Sequence, residues 1–214
     1  MVIDLHLHTK VLSADSSLDP EDAIREAKNI GLDGICLTEH NKAWKLEDVQ
    51  ELSSKWNFLV LRGVEVDTVD GHILVFGLHR EFKGIFHSAE LRRWVDEVGG
   101  VMIGAHPLKG FRAFGVNDLQ LSPEQASKRP IFRGVDAVEG FSGRSTDSEN
   151  KLTQEAAELL HLKSTGGSDA HTARDVGYCA TIFEREIMTE ENLIRELKAG
   201  RFHGAYFRRR EGVG

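Results

Sequence analysis

The stretch DLHLHT, residues 4–9, lies in the first apolar run of the chain and directs the interpretation of the rest. Residues 2–7 are predicted to form a strand. Side chains two positions apart on a strand point to the same side, so His6 and His8 would face one common space. Two such imidazoles can hold one metal ion, although a His-x-His pair on a strand is also found as a purely structural feature. The rest of the sequence has to decide between the two.

Short apolar runs alternate with helical patterns along the whole chain, which is typical of repeated βα units around a parallel sheet or barrel. In the first helix, predicted over residues 20–30, Asp19 is the N-cap, Pro20 the first helical residue and Gly31 the stop. Further strands are predicted over residues 33–38, 58–66, 72–78, 101–105, 135–139, 163–167 and 178–183. Further helices are predicted over residues 46–55, 88–98, 148–162 and 189–199.

Two places depart from this alternation. The strands over residues 58–66 and 72–78 have only a short segment with Asp70-Gly71 between them, so a helix is missing and a hairpin is possible. Residues 108–133 contain only a short helical stretch, near residues 123–128, and are predicted to be a long loop over one end of the fold.

Composition limits the class of protein. The 214 residues are expected to form one domain over residues 1–214, with 40% hydrophobic and 29% charged residues, as in an ordinary globular protein. The net charge of -7 argues against a stable nucleic-acid partner, despite the basic run at residues 208–210. Cys36 and Cys179 lie in apolar runs and are expected to be buried thiols. Because no signal peptide or membrane-spanning stretch is found, a cytoplasmic location and no membrane partner are expected.

Candidate metal ligands fall at the ends of successive predicted strands. These residues are His6, His8, His40, Glu65, His72, His106, Asp169 and His171, and Asp15 joins them from the loop after the first strand. In α/β barrels, groups at the carboxyl ends of the strands converge on one site. His72 is at the start of its strand and shares this face only if that strand is antiparallel to its neighbour. The other histidines, His79, His87, His161 and His203, do not follow the pattern and are interpreted as surface or packing residues.

The chemistry of these side chains indicates the ion. Imidazole nitrogen together with carboxylate oxygen suits Zn, Mn or Fe better than Mg or Ca. Six histidines and three carboxylates are more than one ion needs. The sequence therefore predicts two to three divalent metal ions, with Glu65 as a bridging carboxylate.

The chain resembles the polymerase and histidinol phosphatase (PHP) family. The motifs that carry the resemblance are DLHLHT (4–9), SADSSLDPE (13–21), LTEHN (37–41), GVEV (63–66), GHILVFGL (71–78), AHP (105–107) and GGSDAH (166–171). The resemblance implies a distorted (β/α)₇ barrel with up to three metals. It assigns His6, His8, Glu65 and Asp169 to the first ion. It assigns Glu65, His72 and His106 to the second, and Asp15, His40 and His171 to the third.

Two departures from the family bear on the substrate. Only 33 residues separate His72 from His106, which leaves no room for the inserted subdomain of the members that cleave nucleoside bisphosphates. The chain is also expected to carry no polymerase region or other appended domain.

The expected activity is hydrolysis of a phosphate ester by a metal-bound hydroxide, with Glu65, Asp169 and His171 as catalytic residues. Three divalent ions, three carboxylates and one hydroxide leave about +2, which matches a phosphate monoester dianion and so a small phosphorylated substrate or a nucleotide. Lys109, Arg112 and Arg144 follow site strands and are candidate substrate contacts.

Two alternatives remain open. Amidohydrolase-like C–N bond hydrolysis also uses barrels that open with His-x-His, but those sites usually add a bridging lysine. The other alternative is a metal-stabilised binding or regulatory module without turnover.

Overall fold

The computed structural model describes residues 1–110 and 121–208. The strands are β1 (Val2–Leu7), β2 (Gly34–Leu37), β3 (Leu59–Arg62), β4 (Val64–Thr68), β5 (Gly71–Phe76), β6 (Val101–Gly104), β7 (Ala137–Ser142), β8 (Lys163–Gly167), β9 (Cys179–Phe183) and β10 (Phe202–Tyr206). The α-helices are α1 (Pro20–Asn29), α2 (Leu46–Trp56), α3 (Ser88–Glu97), α4 (Pro123–Ala126), α5 (Asp147–Leu159) and α6 (Glu190–Lys198).

These strands form two five-stranded sheets. The first has the order β10-β9-β1-β2-β3, in which β1, β2 and β3 are parallel and β9 is antiparallel to both β1 and β10. The second has the order β4-β5-β6-β7-β8, with β5 antiparallel to both of its neighbours and β6, β7 and β8 parallel. The α/β class expected from the sequence is confirmed.

The described strands form two sheets and no closed barrel, so the finer expectation of one distorted (β/α)₇ barrel stays a prediction. The strand predicted over residues 58–66 is interrupted at Gly63, and its two pieces, β3 and β4, belong to different sheets. A Cβ at Gly63 would come within 2.7 Å of the Phe76 ring, so the chain approaches β5 closely at the break. The two sheets meet at two seams, the isolated parallel bridges Leu7–Ala170 and His40–Glu65.

The predicted hairpin is present. β4 and β5 pair antiparallel, with Asp67 opposite His72 and Glu65 opposite Leu74. This reversal brings the start of β5 beside the end of β4, so His72 reaches the same end of the sheet as Glu65. Strand β10, which pairs with β9 along its whole length, was not predicted from the sequence.

Three apolar clusters surround this framework. Helix α1 buries Ala23, Ile24 and Ala27 against Leu7 and Ile35 of the first sheet, following the spacing of one helical face. Each fully buried Leu or Ile side chain contributes about 1.5–3 kcal/mol relative to exposure. Both Cys36 and Cys179 are buried thiols, as expected. None of the described helices has the length and apolar character needed to cross a bilayer.

Candidate metal centre

The carboxyl end of β1 brings four donor atoms together around one point. The Nε2 atoms of His6 and His8 lie 2.9 Å apart. Glu65 Oε2 is 3.5 Å and 3.2 Å from these two atoms, and Asp169 Oδ1 is 3.7 Å and 3.4 Å from them. Ligands about 2.0–2.2 Å from a tetrahedral ion lie roughly 3.3–3.6 Å apart, so the spacing fits one ion. We call His6, His8, Glu65 and Asp169 the buried group.

A carboxylate outside the predicted set fixes the ring of His6. Glu139 Oε1 lies 2.9 Å from His6 Nδ1, and because a carboxylate only accepts, Nδ1 donates to it and Nε2 faces the buried group. Glu139 Oε2 accepts a second hydrogen bond, from the backbone N–H of His106 at 3.0 Å. A Cβ at Gly167 would collide with Glu139 Oε1, so this contact needs glycine there.

The carboxylate of Glu65 lies between several imidazoles. Its Oε1 is 3.0 Å from both His72 Nδ1 and His106 Nε2, and its Oε2 is 3.1 Å from His40 Nδ1. The side chain is fully buried, and Oε2 has no hydrogen bond of acceptable geometry. A carboxylate in this position could bridge two metal ions.

Glu65 is ionised in this environment. Burial alone would raise the pKa of Glu65, but the charge of His6, a hydrogen bond from His106 and the nearby His40 imidazole hold it well below 4.5. The carboxylates around His6 shift the pKa of its imidazole in the opposite direction. Burial lowers the pKa of His6, but Glu139, Glu65 and Asp169 outweigh it and raise the pKa well above 6.5. A full negative charge therefore lies at the centre of the site.

A second set of donors lies nearer the solvent. Asp15 Oδ2 is 3.1 Å from His171 Nε2 and 3.4 Å from His40 Nε2. His171 Nδ1 donates to the backbone carbonyl of Asp169 at 2.9 Å, which leaves Nε2 free to face Asp15. The Asp15 side chain is 57% exposed and that of His40 28% exposed. We call Asp15, His40 and His171 the exposed group.

Asp67 is a site residue that the sequence analysis missed. Its Oδ1 is 3.5 Å from His72 Nε2, and its Oδ2 accepts from Asn41 Nδ2 at 2.7 Å. Donor atoms of His40, Asp67 and His72 lie close enough together to hold an ion. The alternation of side chains along β4 places Asp67 on the face of Glu65, and that pattern could have identified it.

Two of the site residues have an unusual backbone. His106 and Asp169 have φ values of 29° and 53°, in the left-handed region that L-residues rarely adopt. Each lies two residues beyond the end of its strand, β6 or β8, where the backbone turns the side chain towards the centre. Such conformations cost about 1–3 kcal/mol each and are concentrated at functional sites.

The donor set fits divalent ions of the zinc, manganese or iron type. The fit rests on the Nε2 of His6 that faces the buried group, the buried Glu65 Oε2 without a hydrogen bond, and the mixed nitrogen and oxygen chemistry. Three of the donor groups of suitable spacing are His6–His8–Asp169, His6–Glu65–His106 and His8–His40–His171. All nine ligands predicted from the sequence therefore lie in one region.

The predicted substrate contacts have different positions. Lys109 Nζ lies 2.5 Å from Asp169 Oδ2, beside the buried group. Arg144 is exposed and lies near the exposed group; burial lowers the pKa of His171, and the charge of Arg144 adds to that effect. Arg112 lies outside the described residues. A cavity of about 320 Å³ opens beside His72 and His106, with Lys109, Arg129 and Ile131 also in its lining.

Fold and centre together define a class: an α/β protein in which strand ends converge on a histidine and carboxylate cluster suited to several divalent ions. A family model described as PHP-associated matches residues 147–202. An uncharacterized protein of Methanocaldococcus jannaschii is 27% identical over 116 residues, covering 50% of this chain and 68% of that protein. A probable phosphatase of Thermoanaerobacter sp. is 26% identical over 211 residues, covering 83% of this chain and 82% of the relative.

Solved structures share the fold. A Bifidobacterium adolescentis protein, described as a candidate metal-dependent phosphoesterase, superposes with a TM-score of 0.64 at 17% identity, covering 91% of this chain and 95% of that chain. A Chromobacterium violaceum protein described as an amidohydrolase gives a TM-score of 0.61 at 18% identity, covering 94% and 96%. The resemblance to the PHP family seen in the sequence is thus confirmed by the PHP-associated match over residues 147–202.

Proposed function

We propose that this protein is a metal-dependent phosphoesterase that hydrolyses a small phosphate ester or a nucleotide. The observation that carries the proposal is the buried, ionised carboxylate of Glu65, which faces imidazole nitrogens with both of its oxygens. The probable phosphatase among its relatives agrees with this activity. We further propose that residues 1–214 form one domain, in which the two sheets are the halves of a distorted (β/α)₇ barrel.

In this proposal two to three ions of Zn, Mn or Fe occupy the cluster. The buried group would hold the first, Glu65 with His72 and His106 the second, and the exposed group the third. When bound, such ions supply positive charge for phosphoryl oxygens and lower the pKa of water. The bridging position of Glu65 would let one carboxylate serve two ions.

The protein's own residues would orient the substrate. Lys109, next to Asp169, and Arg144, at the rim, supply positive charge on two sides of the centre. An arginine can hold a phosphate through two parallel hydrogen bonds. We propose Lys109, Arg112 and Arg144 as substrate contacts, and Glu65, Asp169 and His171 as the catalytic residues.

The cavity beside His72 and His106 supports a small leaving group. Its volume of about 320 Å³ is at the lower end of the range for ligand pockets. Because it opens next to the second metal position, an ester bound with its phosphoryl group at the centre would extend its leaving group there. This geometry favours small phosphorylated metabolites or nucleotides.

A phosphate-ester panel tests the proposal. Protein reconstituted separately with Mn, Zn or Fe should release inorganic phosphate from at least one small ester, and Glu65→Gln should strongly reduce this release. A matched panel of amide and carbamate substrates tests the amidohydrolase alternative. Metal-replete protein that turns over neither panel would support the non-catalytic alternative and contradict the proposed function.

A further inference from the structure

Glu39 is a buried carboxylate next to the centre that belongs to none of the predicted ligand sets. It is fully buried and accepts four hydrogen bonds. Thr9 Oγ1 and Trp44 Nε1 donate to its Oε1 at 2.5 Å and 2.7 Å. Thr9 N and Ser13 Oγ donate to its Oε2 at 2.9 Å and 2.6 Å. A carboxylate held from four directions has a fixed position and imposes that position on its donors.

The hydroxyl of Ser13 connects Glu39 to the candidate metal ligands His8 and His40. A serine has one hydroxyl proton, and here it is given to Glu39. Ser13 Oγ can therefore only accept from its other neighbours, His8 Nδ1 at 3.4 Å and the backbone N–H of His40 at 3.3 Å. It follows that His8 Nδ1 donates a proton to Ser13 Oγ, while Nε2 faces the buried group.

We propose that Glu39, acting through Ser13, is a positioning residue that sets the tautomer of His8 and holds the backbone of His40. The pair would thereby connect the buried group to the exposed group, since His8 belongs to the first and His40 to the second. Ser13 also lies in the turn that carries Asp15, because Ser13 N bonds Thr9 O and Ser16 N bonds Ser13 O. One carboxylate would thus arrange ligands from both groups.

The arrangement parallels that of His6 but uses a relay. Glu139 holds His6 Nδ1 directly, whereas Glu39 reaches His8 Nδ1 through a hydroxyl. Outer partners of this kind orient metal-binding imidazoles, and their loss typically weakens metal affinity by about 10–100-fold. The metal-binding part of this inference depends on the proposed function, whereas the tautomer part does not.

The decisive measurement is the tautomer of His8 in metal-free protein. Long-range ¹H–¹⁵N correlation spectra of ¹⁵N-histidine protein, at mildly alkaline pH, should show the His8 proton on Nδ1 in the wild type. Ser13→Ala removes the acceptor, so we expect a mixture of tautomers, and Ser13→Thr, which keeps a hydroxyl, should restore the wild-type spectrum. A wild-type His8 that carries its proton on Nε2 and none on Nδ1 would overturn the inference without any variant.

Ser16→Ala is the matched control for metal binding. Ser16 is a buried serine of the same turn, but its hydroxyl bonds the backbone carbonyls of His8 and His171 and not an imidazole. We expect Ser13→Ala to weaken binding of the tightest Zn equivalent about 10–100-fold, measured by competition with a chelator, and Ser16→Ala to have a much smaller effect. Equal losses in both variants, with an unchanged His8 tautomer in Ser13→Ala, would mean that the turn matters only structurally. Because neither readout uses a substrate, failure of the phosphate-ester panel alone would leave this inference intact.

Discussion

The buried group and the exposed group differ in how firmly the protein holds their side chains. His6, His8 and Glu65 are inaccessible to solvent, and both imidazoles have a side-chain partner on Nδ1. In the exposed group, Asp15 is 57% exposed and the Nδ1 of His171 depends on a backbone carbonyl. Water competes less with ligands in a buried site, and charges interact more strongly there. The comparison predicts that an ion in the buried group would be held more tightly than an ion in the exposed group.

The largest effect should follow from Glu65→Gln, because this residue belongs to the buried group and also faces His40, His72 and His106. Loss of its charge removes one partner of a buried charge array, which costs about 3–5 kcal/mol, so catalytic efficiency should fall on the order of 1,000-fold. His72→Ala, which removes a half-exposed ligand, should cost clearly less. Steady-state kinetics and elemental analysis measure these effects. Wild-type activity and metal content in Glu65→Gln would show that Glu65 does not bridge two metal ions.

The next prediction concerns the metal content of the buried group and the exposed group. Reconstituted protein should hold two to three equivalents of Zn, Mn or Fe, and a chelator should remove the exposed position first and the buried position last. Asp15→Asn should then lower the rapidly lost fraction, and Asp169→Asn the slowly lost fraction. Elemental analysis after timed dialysis follows both fractions, and less than one equivalent after reconstitution would contradict the cluster.

A substitution at the rim should separate substrate binding from metal binding. Arg144→Ala should lower catalytic efficiency by about 10–100-fold, the 1.5–3 kcal/mol expected for a charge-assisted hydrogen bond, with metal content unchanged. Arg112→Ala serves as the parallel variant. Unchanged kinetics on a small phosphate ester in both variants would place the phosphate contact elsewhere, or indicate a substrate without phosphate.

The smallest effect on activity is expected far from the centre, at Glu196 of α6. Hydrogen bonds from Arg201 lower the pKa of this carboxylate from 4.5 to about 2. A folded-state pKa below the unfolded value contributes stability that is present above pH 4.5 and is lost as pH falls towards 2. In metal-free protein, Glu196→Gln should therefore lose stability relative to wild type at neutral pH, and the difference should shrink on acidification. Acid-unfolding curves that run parallel over this range would contradict the linkage, and activity at neutral pH should change little.

The sequence predicted features that depend on local pattern. The α1 boundaries follow from Asp19, Pro20 and Gly31, and the placement of ligands at strand ends follows from the alternation of strands and helices. The break at Gly63 was missed because it depends on the nearby Phe76 ring, which local pattern does not reveal. Glu39 and Glu139 were missed for a similar reason: each gains its role from partners distant in the chain, at Ser13 and His6. Asp67 could have been predicted from the sequence, since it shares a strand face with Glu65.

The two seams between the sheets have a consequence for local opening. The backbone pairing at each seam is one isolated bridge, and site residues lie at or beside it: His40 pairs with Glu65, and Ala170 lies between Asp169 and His171. The sheets could part there without breaking the hydrogen-bond ladder of either sheet. Ions bound by His6, His8 and His40 on the side of one sheet and by Glu65 on the side of the other would stabilise the seam at the His40–Glu65 bridge. Amide hydrogen exchange at Asn41 and Glu65, whose N–H groups cross that seam, would then measure how much bound ions stabilise the contact between the two sheets.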